Sequence, residues 1–161
     1  MNYASLLFFV ISLPAFASKP VIAQHDLTFA TGTGIEDIQF LFGGDEEQIS
    51  GIIDKEAVRK QIQSNMLGVY RCYAANFPGS KKVGKITVKM ELKGAKNPTT
   101  TAQRSPREVR VIASDFDSKD FSNCVAEHWS KILMPLSTEG TVSEVVMPIL
   151  ARLRATESVG P

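Results

Sequence analysis

The sequence predicts an α+β fold, in which two helices pack on one face of a three-stranded antiparallel sheet in the chain order α-β-β-α-β. Two stretches repeat apolar residues every three or four positions, which is the spacing of one helix face. Three further stretches alternate apolar and polar residues, as strands with one solvated face do. Helices and strands of this kind bury their apolar faces against each other in layers.

The first helix is predicted from Asp54 to Phe77. Asp54 is placed to accept hydrogen bonds from the first helical amides, and Pro78 with Gly79 stops the helix. Cys72 falls at the edge of the apolar face. That face consists of Val58, Ile62, Met66, Val69, Tyr70, Tyr73 and Phe77.

The three strands are predicted at residues 85–92, 108–114 and 145–153. The first two are joined by a loop from 94 to 106, which is longer than a hairpin needs. Pro148 lies inside the last strand and cannot donate a ladder hydrogen bond. We therefore expect the last strand to lie at an edge of the sheet there.

The second helix is predicted to begin at a cap formed by Asp117 or Ser118 and to end at Pro135. Its apolar positions follow helical spacing and include the second cysteine of the chain. They are Phe121, Cys124, Val125, Trp129 and Ile132.

An apolar leader precedes the domain. Residues 6–13 form an apolar run too short to span a bilayer comfortably, and Pro14 follows just before a small-residue site that closes with Ala17. Residues 1–17 are therefore predicted to be a signal peptide cleaved after Ala17, and a second candidate cut follows Ala23. The segment before the apolar run lacks Lys and Arg, which keeps an uncleaved, membrane-anchored form open as the alternative.

Residues 18–49 are interpreted as a flexible linker, because glycine, threonine and acidic residues interrupt any sustained period. Within this segment Ile35, Ile38 and residues 40–42 are apolar. We expect them to form a short element that docks on the domain rather than on a partner.

The domain is placed at residues 50–154, followed by a tail at 155–161. The net charge of +1, with 18 Lys and Arg against 17 Asp and Glu, gives no support to a nucleic-acid partner. No apolar run after the leader approaches transmembrane length, so no membrane span is expected once the leader is cleaved.

Cys72 and Cys124 are the two cysteines of the chain. An even cysteine count in an exported protein usually indicates a disulfide, and two cysteines allow a single pairing. Closing a loop of about 50 residues would stabilise the fold by roughly 4 kcal/mol in the chain-entropy model. The alternative is a pair of unbonded, buried thiols.

Groups that could support catalysis or metal binding are few. His25 lies in the linker, and His128 stands alone beside Trp129, so His128 is interpreted as a packed or surface histidine and Trp129 as core. The acidic run at 45–47 lacks the alternate-ligand spacing of a calcium loop. The sequence therefore predicts no enzyme, no metal and no cofactor.

Several short motifs occur in the order of the predicted elements. They are IDKEAVRK at 53–60, YRCY at 70–73, VGKITV at 83–88, FSNCV at 121–125 before Trp129, MP at 134–135 and MPI at 147–149. In these motifs residues 50–154 resemble the AgmX/PglI C-terminal domain family. That family is a periplasmic relative of the TonB C-terminal domain, associated with gliding motility and energy transduction.

The resemblance implies a TonB C-terminal-like fold, a structural disulfide between the two cysteines, and recognition of envelope partners at a sheet edge. Two features differ from the family pattern. The loop at 94–106 stands where the family has a tight turn, and the chain shows neither the membrane helix nor the proline-rich spacer of TonB-like transducers. We therefore do not expect it to transmit inner-membrane energy by itself.

Three function hypotheses follow. The first is a non-catalytic, periplasmic or secreted interaction module that binds a cell-envelope protein by strand addition, in its narrower form as an accessory part of a motility or TonB-like transport assembly. The second is a membrane-tethered TonB-like transducer subunit that retains the leader. The third, with the least support, is a small ligand-binding protein or hydrolase.

Overall fold

The computed structural model describes residues 21–22, 38–94, 103–137 and 141–153. These residues form an antiparallel sheet whose one face is covered by two helices, α1 (Lys55–Asn76) and α2 (Lys119–Ser130). The strands are β1 (Val21–Ile22), β2 (Ile38–Phe42), β3 (Gln48–Ile49), β4 (Gly84–Lys93), β5 (Gln103–Arg104), β6 (Glu108–Ser114), β7 (Met134–Pro135) and β8 (Val142–Leu153). The predicted α+β class and the two helices are therefore confirmed.

The main sheet has six strands rather than the predicted three. Its order is β1-β2-β8-β4-β6, and β3 also pairs with β8. The three predicted strands are neighbours in this sheet as β8, β4 and β6, and every pairing is antiparallel. The sequence interpretation missed the strands that precede α1.

The flexible-linker interpretation of residues 18–49 is wrong for residues 38–42 and 48–49, which belong to the sheet as β2 and β3. Ile38, Phe40 and Phe42 are almost fully buried in the core, which explains why this segment is ordered. The expected docking of apolar residues on the domain is confirmed for 38–42, and the folded unit begins before residue 50. The predicted signal peptide at 1–17, most of the linker before 38, residues 95–102 of the long loop and the tail at 155–161 lie outside the described residues.

Pro148 does not lie at a sheet edge, contrary to the prediction, because β4 flanks β8 on one side and β2 with β3 flank it on the other. The carbonyl of Pro148 accepts a hydrogen bond from the N–H of Gly43 at 3.3 Å. The N–H and C=O of one strand residue point to the same side. The N–H that proline lacks would therefore face the turn at 43–47. This turn lies between β2 and β3, where the pairing with β8 is interrupted.

Both helices begin at side-chain caps. The Asp54 carboxylate accepts the N–H of Ala57 at 2.9 Å, as predicted. Of the two candidate caps of α2 it is Ser118 that accepts a helical amide, that of Phe121, at 3.1 Å. The second helix ends at Ser130, earlier than predicted, and Pro135 instead belongs to β7, which pairs with β5 at the end of the long loop.

The core lies between the helices and one face of the sheet. Alternate residues of β4 and β8 face it, and Trp129 is fully buried there, as predicted. Aromatic rings of α1, α2 and β2 pack edge to face within it, which gives each helix a defined position over the strands. The strand residues of this face are Ile86, Val88, Met90, Leu92, Val145, Met147, Ile149 and Ala151.

Candidate interaction edge of the sheet

Cys72 and Cys124 form a disulfide between α1 and α2. Their Cα atoms lie 5.7 Å apart, and the two residues are separated by 52 positions in the chain. Cys72 is buried and Cys124 is half-buried, and the chain has no free cysteine. The pairing predicted from the sequence is present, and it holds the second half of α1 against the middle of α2.

His128 packs in the contact between the two helices. Its Nε2 lies 2.8 Å from the backbone oxygen of Asn65; because a carbonyl only accepts, Nε2 is the donor. The imidazole edge lies directly over Gly68, where a Cβ atom would collide with the ring. His128 is therefore a packed residue that sets how closely the helices approach.

Burial lowers the pKa of His128, because the charged ring is poorly solvated between the helices. The hydrogen bond to Asn65 opposes this shift, and the positive charges of Arg71 and Lys131 add to it. The ring lines a cleft of about 440 Å³ together with those two cations and the disulfide. Among the described residues no cluster of three His, Cys, Asp or Glu side chains could hold a metal ion.

One edge of the sheet, at β2, is closed by groups of the protein itself. The backbone of Val21–Ile22 pairs with Leu41 and Phe42 on the side of β2 that faces away from β8. The N–H of Phe40 donates to the hydroxyl of Tyr70 on α1 at 3.1 Å, and the two rings pack edge to face with centroids 4.5 Å apart. Edge groups that would bind another strand are thus already engaged from 40 to 42.

The opposite edge, at β6, is open in the described part of the chain. β6 pairs with β4 and with no second strand. The N–H of Arg107 donates inward, to the carbonyl of Glu91 at 2.8 Å. The carbonyls of Lys85 and Glu91 of β4 both accept from the side of β6, so the peptide groups of the odd-numbered residues of β4 point toward β6 and form hydrogen-bonded pairs with Glu108 and Arg110. The peptide groups of Val109 and Val111 therefore point outward.

A β-bulge limits the length of this open edge. Val111 lies opposite Val88 of β4, and Ala113 lies opposite Thr87, so Ile112 is the extra residue. The side chain of Ile112 is 49% exposed. The regular part of the open edge therefore runs from residue 108 to residue 111.

A groove of about 580 Å³ runs beside this edge, between β6 and α2. Val109 and Val111 form its floor and are only partly buried against the core. Ser122 and Ala126, one helical turn apart, form its wall. These short wall residues leave room for the side chains of a strand laid along β6.

The outer face of the open edge carries charges of both signs. Glu108 and Arg110 lie opposite Glu91 and Lys89 of β4, on the face of the sheet away from the helices. Their side chains are about half exposed, and the guanidinium lies 3.6 Å from the Glu108 carboxylate. Because both signs of charge are present, the edge does not repel an incoming strand through like charges alone.

The sequence interpretation anticipated a sheet edge as the binding surface but did not identify which one. It treated Pro148 as the sign of an edge, and the structure places that residue in the interior of the sheet. Two signals in the sequence could have identified the site. They are the alternation of charged and aliphatic residues over 108–111 and the short side chains Ser122 and Ala126 at helical spacing.

Comparison with family models, with curated proteins and with solved structures finds no match to this chain. The family resemblance therefore rests on the short motifs alone. Within the described ranges, no helix combines the length and the apolar character that a bilayer crossing requires.

Proposed function

We propose that this protein is a non-catalytic, exported interaction module that binds a cell-envelope protein by strand addition at β6. The observation that carries the proposal is the difference between the two sheet edges. The β2 edge is engaged by Tyr70 and β1, whereas the β6 edge presents outward peptide groups beside a groove. An exposed edge of this kind is a recurring docking site for extended peptides.

In this mechanism the backbone of the partner exchanges hydrogen bonds with Val109 and Val111. Alternate side chains of the added strand point toward α2 and fill the groove over Val109 and Val111. Residues between them lie over the outer face, next to the two charged side chains. Main-chain hydrogen bonds supply affinity, and the groove supplies selection for aliphatic side chains.

Export and the place of action are further parts of the proposal. The disulfide favours an oxidising compartment, and the apolar leader is typical of a secreted chain. The narrower proposals, a TonB C-terminal-like domain and an accessory role in a motility or transport assembly, depend on the resemblance to the AgmX/PglI family.

Val109→Pro tests the docking edge, because proline removes an outward N–H without removing a hydrogen bond to β4. Val109→Ala is the matched control, since it removes most of the same side chain and keeps the N–H. We expect crosslinking in envelope extracts to recover a specific partner with wild type and Val109→Ala but not with Val109→Pro.

Folding of each variant is checked by circular dichroism and by the mass of the disulfide-linked peptides. Equal recovery of the partner by a folded Val109→Pro variant would reject strand addition at β6. Failure of the intact wild-type domain to recover any specific partner would reject the interaction module itself.

A further inference from the structure

The open edge of β6 is complementary to itself. Glu108 and Arg110 flank Val109 with opposite charges, and both side chains lie on the same face of the sheet. In an antiparallel pair of two copies centred on Val109, Glu108 of each copy lies opposite Arg110 of the other. Opposite charges in directly facing strand positions stabilise a pair, whereas like charges destabilise it.

The hydrogen-bonding phase of the backbone fits the same arrangement. The peptide groups of Glu108 and Arg110 face their partners Glu91 and Lys89 of β4, so Val109 between them presents its N–H and C=O outward. Residues that face each other across an antiparallel pair and both point outward exchange two hydrogen bonds. Val109 of the two copies forms this hydrogen-bonded pair. Glu108 opposite Arg110 is then a non-hydrogen-bonded position, where facing Cα atoms approach most closely and side chains touch.

Both ends of the open edge stop further pairing. Ile112 is the bulged residue, and Pro106 has no N–H to offer. With the two-fold axis at Val109, Pro106 of each copy falls opposite Ile112 of the other. The pairing is therefore confined to residues 107–111 and closes as a dimer, because a two-fold contact uses the same edge of both copies.

The helices leave room for a second copy. The α2 residues that border the groove beside β6 include Ser122 and Ala126, whose short side chains permit close approach across the axis. The aliphatic Val109 and Val111 are only partly buried within one copy and would lose further exposed surface in the pair.

We propose that two copies of this protein pair antiparallel through β6, with Glu108 of each opposite Arg110 of the other, and form one continuous sheet. The short contact makes the dimer weak and reversible. It hides the edge that the envelope partner uses, so that self-association and partner binding compete. The competition rests on the proposed function, but the pairing of two copies does not.

Charge reversal at the two facing positions tests the register. We expect sedimentation equilibrium of the oxidised protein to show a concentration-dependent dimer. Arg110→Glu places Glu opposite Glu twice per dimer and should weaken dimerisation by about tenfold or more. The double variant Glu108→Arg with Arg110→Glu restores opposite charges and should return the dimer constant to near that of wild type.

The double variant distinguishes this register from a general effect of charge or of misfolding. A wild type that stays monomeric up to millimolar concentration overturns the proposal. So does a dimer that Arg110→Glu leaves unchanged, or a double variant as weak as the single one. A monomer that still captures the envelope partner rejects self-pairing alone, whereas a dimer that captures nothing rejects the proposed function alone.

Discussion

The two edges of the main sheet are protected in different ways. At β2, the N–H of Phe40 donates to Tyr70 and the next two residues pair with β1, so the edge groups are already bonded. At β6, the protection consists of a bulge at Ile112 and of charged side chains at alternate positions. Hydrogen bonds to its peptide groups close a sheet edge, whereas a bulge only shortens the stretch that can pair with another strand.

This comparison also concerns the helices, because each edge depends on one of them. Tyr70 of α1 reaches the β2 edge, and α2 forms the wall of the groove beside β6. The disulfide and the contact between Gly68 and His128 set the position of α1 relative to α2. Changes at these contacts should therefore affect both edges, whereas changes at Tyr70 should affect only one.

The largest effect is expected from removing the disulfide. Cys72→Ser or Cys124→Ser should lower the free energy of unfolding by roughly 4 kcal/mol, because the open chain regains the entropy of a loop of about 50 residues. Urea unfolding of oxidised wild type and of each variant measures this difference. Equal stability of wild type and variants would contradict a structural role of the disulfide. The β6 edge keeps its chemistry in a variant that is still folded.

A smaller loss is expected from Gly68→Ala. Alanine favours a helix over glycine by up to about 1 kcal/mol, so in open surroundings the change would stabilise α1. Here the new Cβ would collide with the His128 ring, and overpacking of this kind costs about 1–3 kcal/mol. We therefore expect thermal unfolding at a lower temperature.

The matched control for this contact adds His128→Ala to Gly68→Ala. Removing the ring removes the collision, so the double variant should be more stable than the sum of the two single changes predicts. Strict additivity in urea unfolding would show that the two residues do not determine the helix spacing together.

The next largest effect is expected from opening the β2 edge. Tyr70→Phe removes the acceptor of the Phe40 N–H while keeping the ring, and an unpaired buried donor costs about 1–2 kcal/mol. Hydrogen exchange at the Phe40 amide should become faster, while exchange in β4 should follow only the global change in stability. Unchanged protection at Phe40 would show that the hydroxyl does not close this edge.

The smallest effect is a dependence of stability on pH through His128. Its pKa is lowered in the folded protein, so the unfolded chain binds more protons between that lowered pKa and the usual value of about 6.5. The free energy of unfolding should therefore be highest above this window and fall as the pH drops through it.

Urea unfolding between pH 8 and pH 5 measures this slope, and His128→Gln is the control, because glutamine does not titrate and keeps an amide donor. The part of the slope that belongs to His128 should disappear in this variant. Identical slopes in wild type and His128→Gln would show that burial does not perturb this ring.

Much of the fold could be predicted from the sequence, and the successes share one cause. The cap at Asp54, the strands β4 and β6 and the buried position of Trp129 all follow from residues within a few positions of one another. Caps and periodicity are local properties, so they can be read from a short window of sequence. The disulfide followed from a count of two cysteines together with the leader.

The errors share a different cause, which is pairing across long separations in the chain. Phe40 lies opposite Ala151, and nothing in the local sequence of β2 indicates that partner. The same pairing moves Pro148 from an edge to the interior of the sheet. Glycine and acidic residues around β2 resemble a linker until the strand to which it pairs is known.

The sequence by itself determined the helices, the alternation of the three main strands and the cysteine pair, because these depend on local spacing and on composition. Tertiary structure alone decided which edge of the sheet remains open. That outcome depends on where Tyr70 and residues 21–22 meet β2, and hydrogen bonds between segments distant in the chain exist only once the fold brings them together.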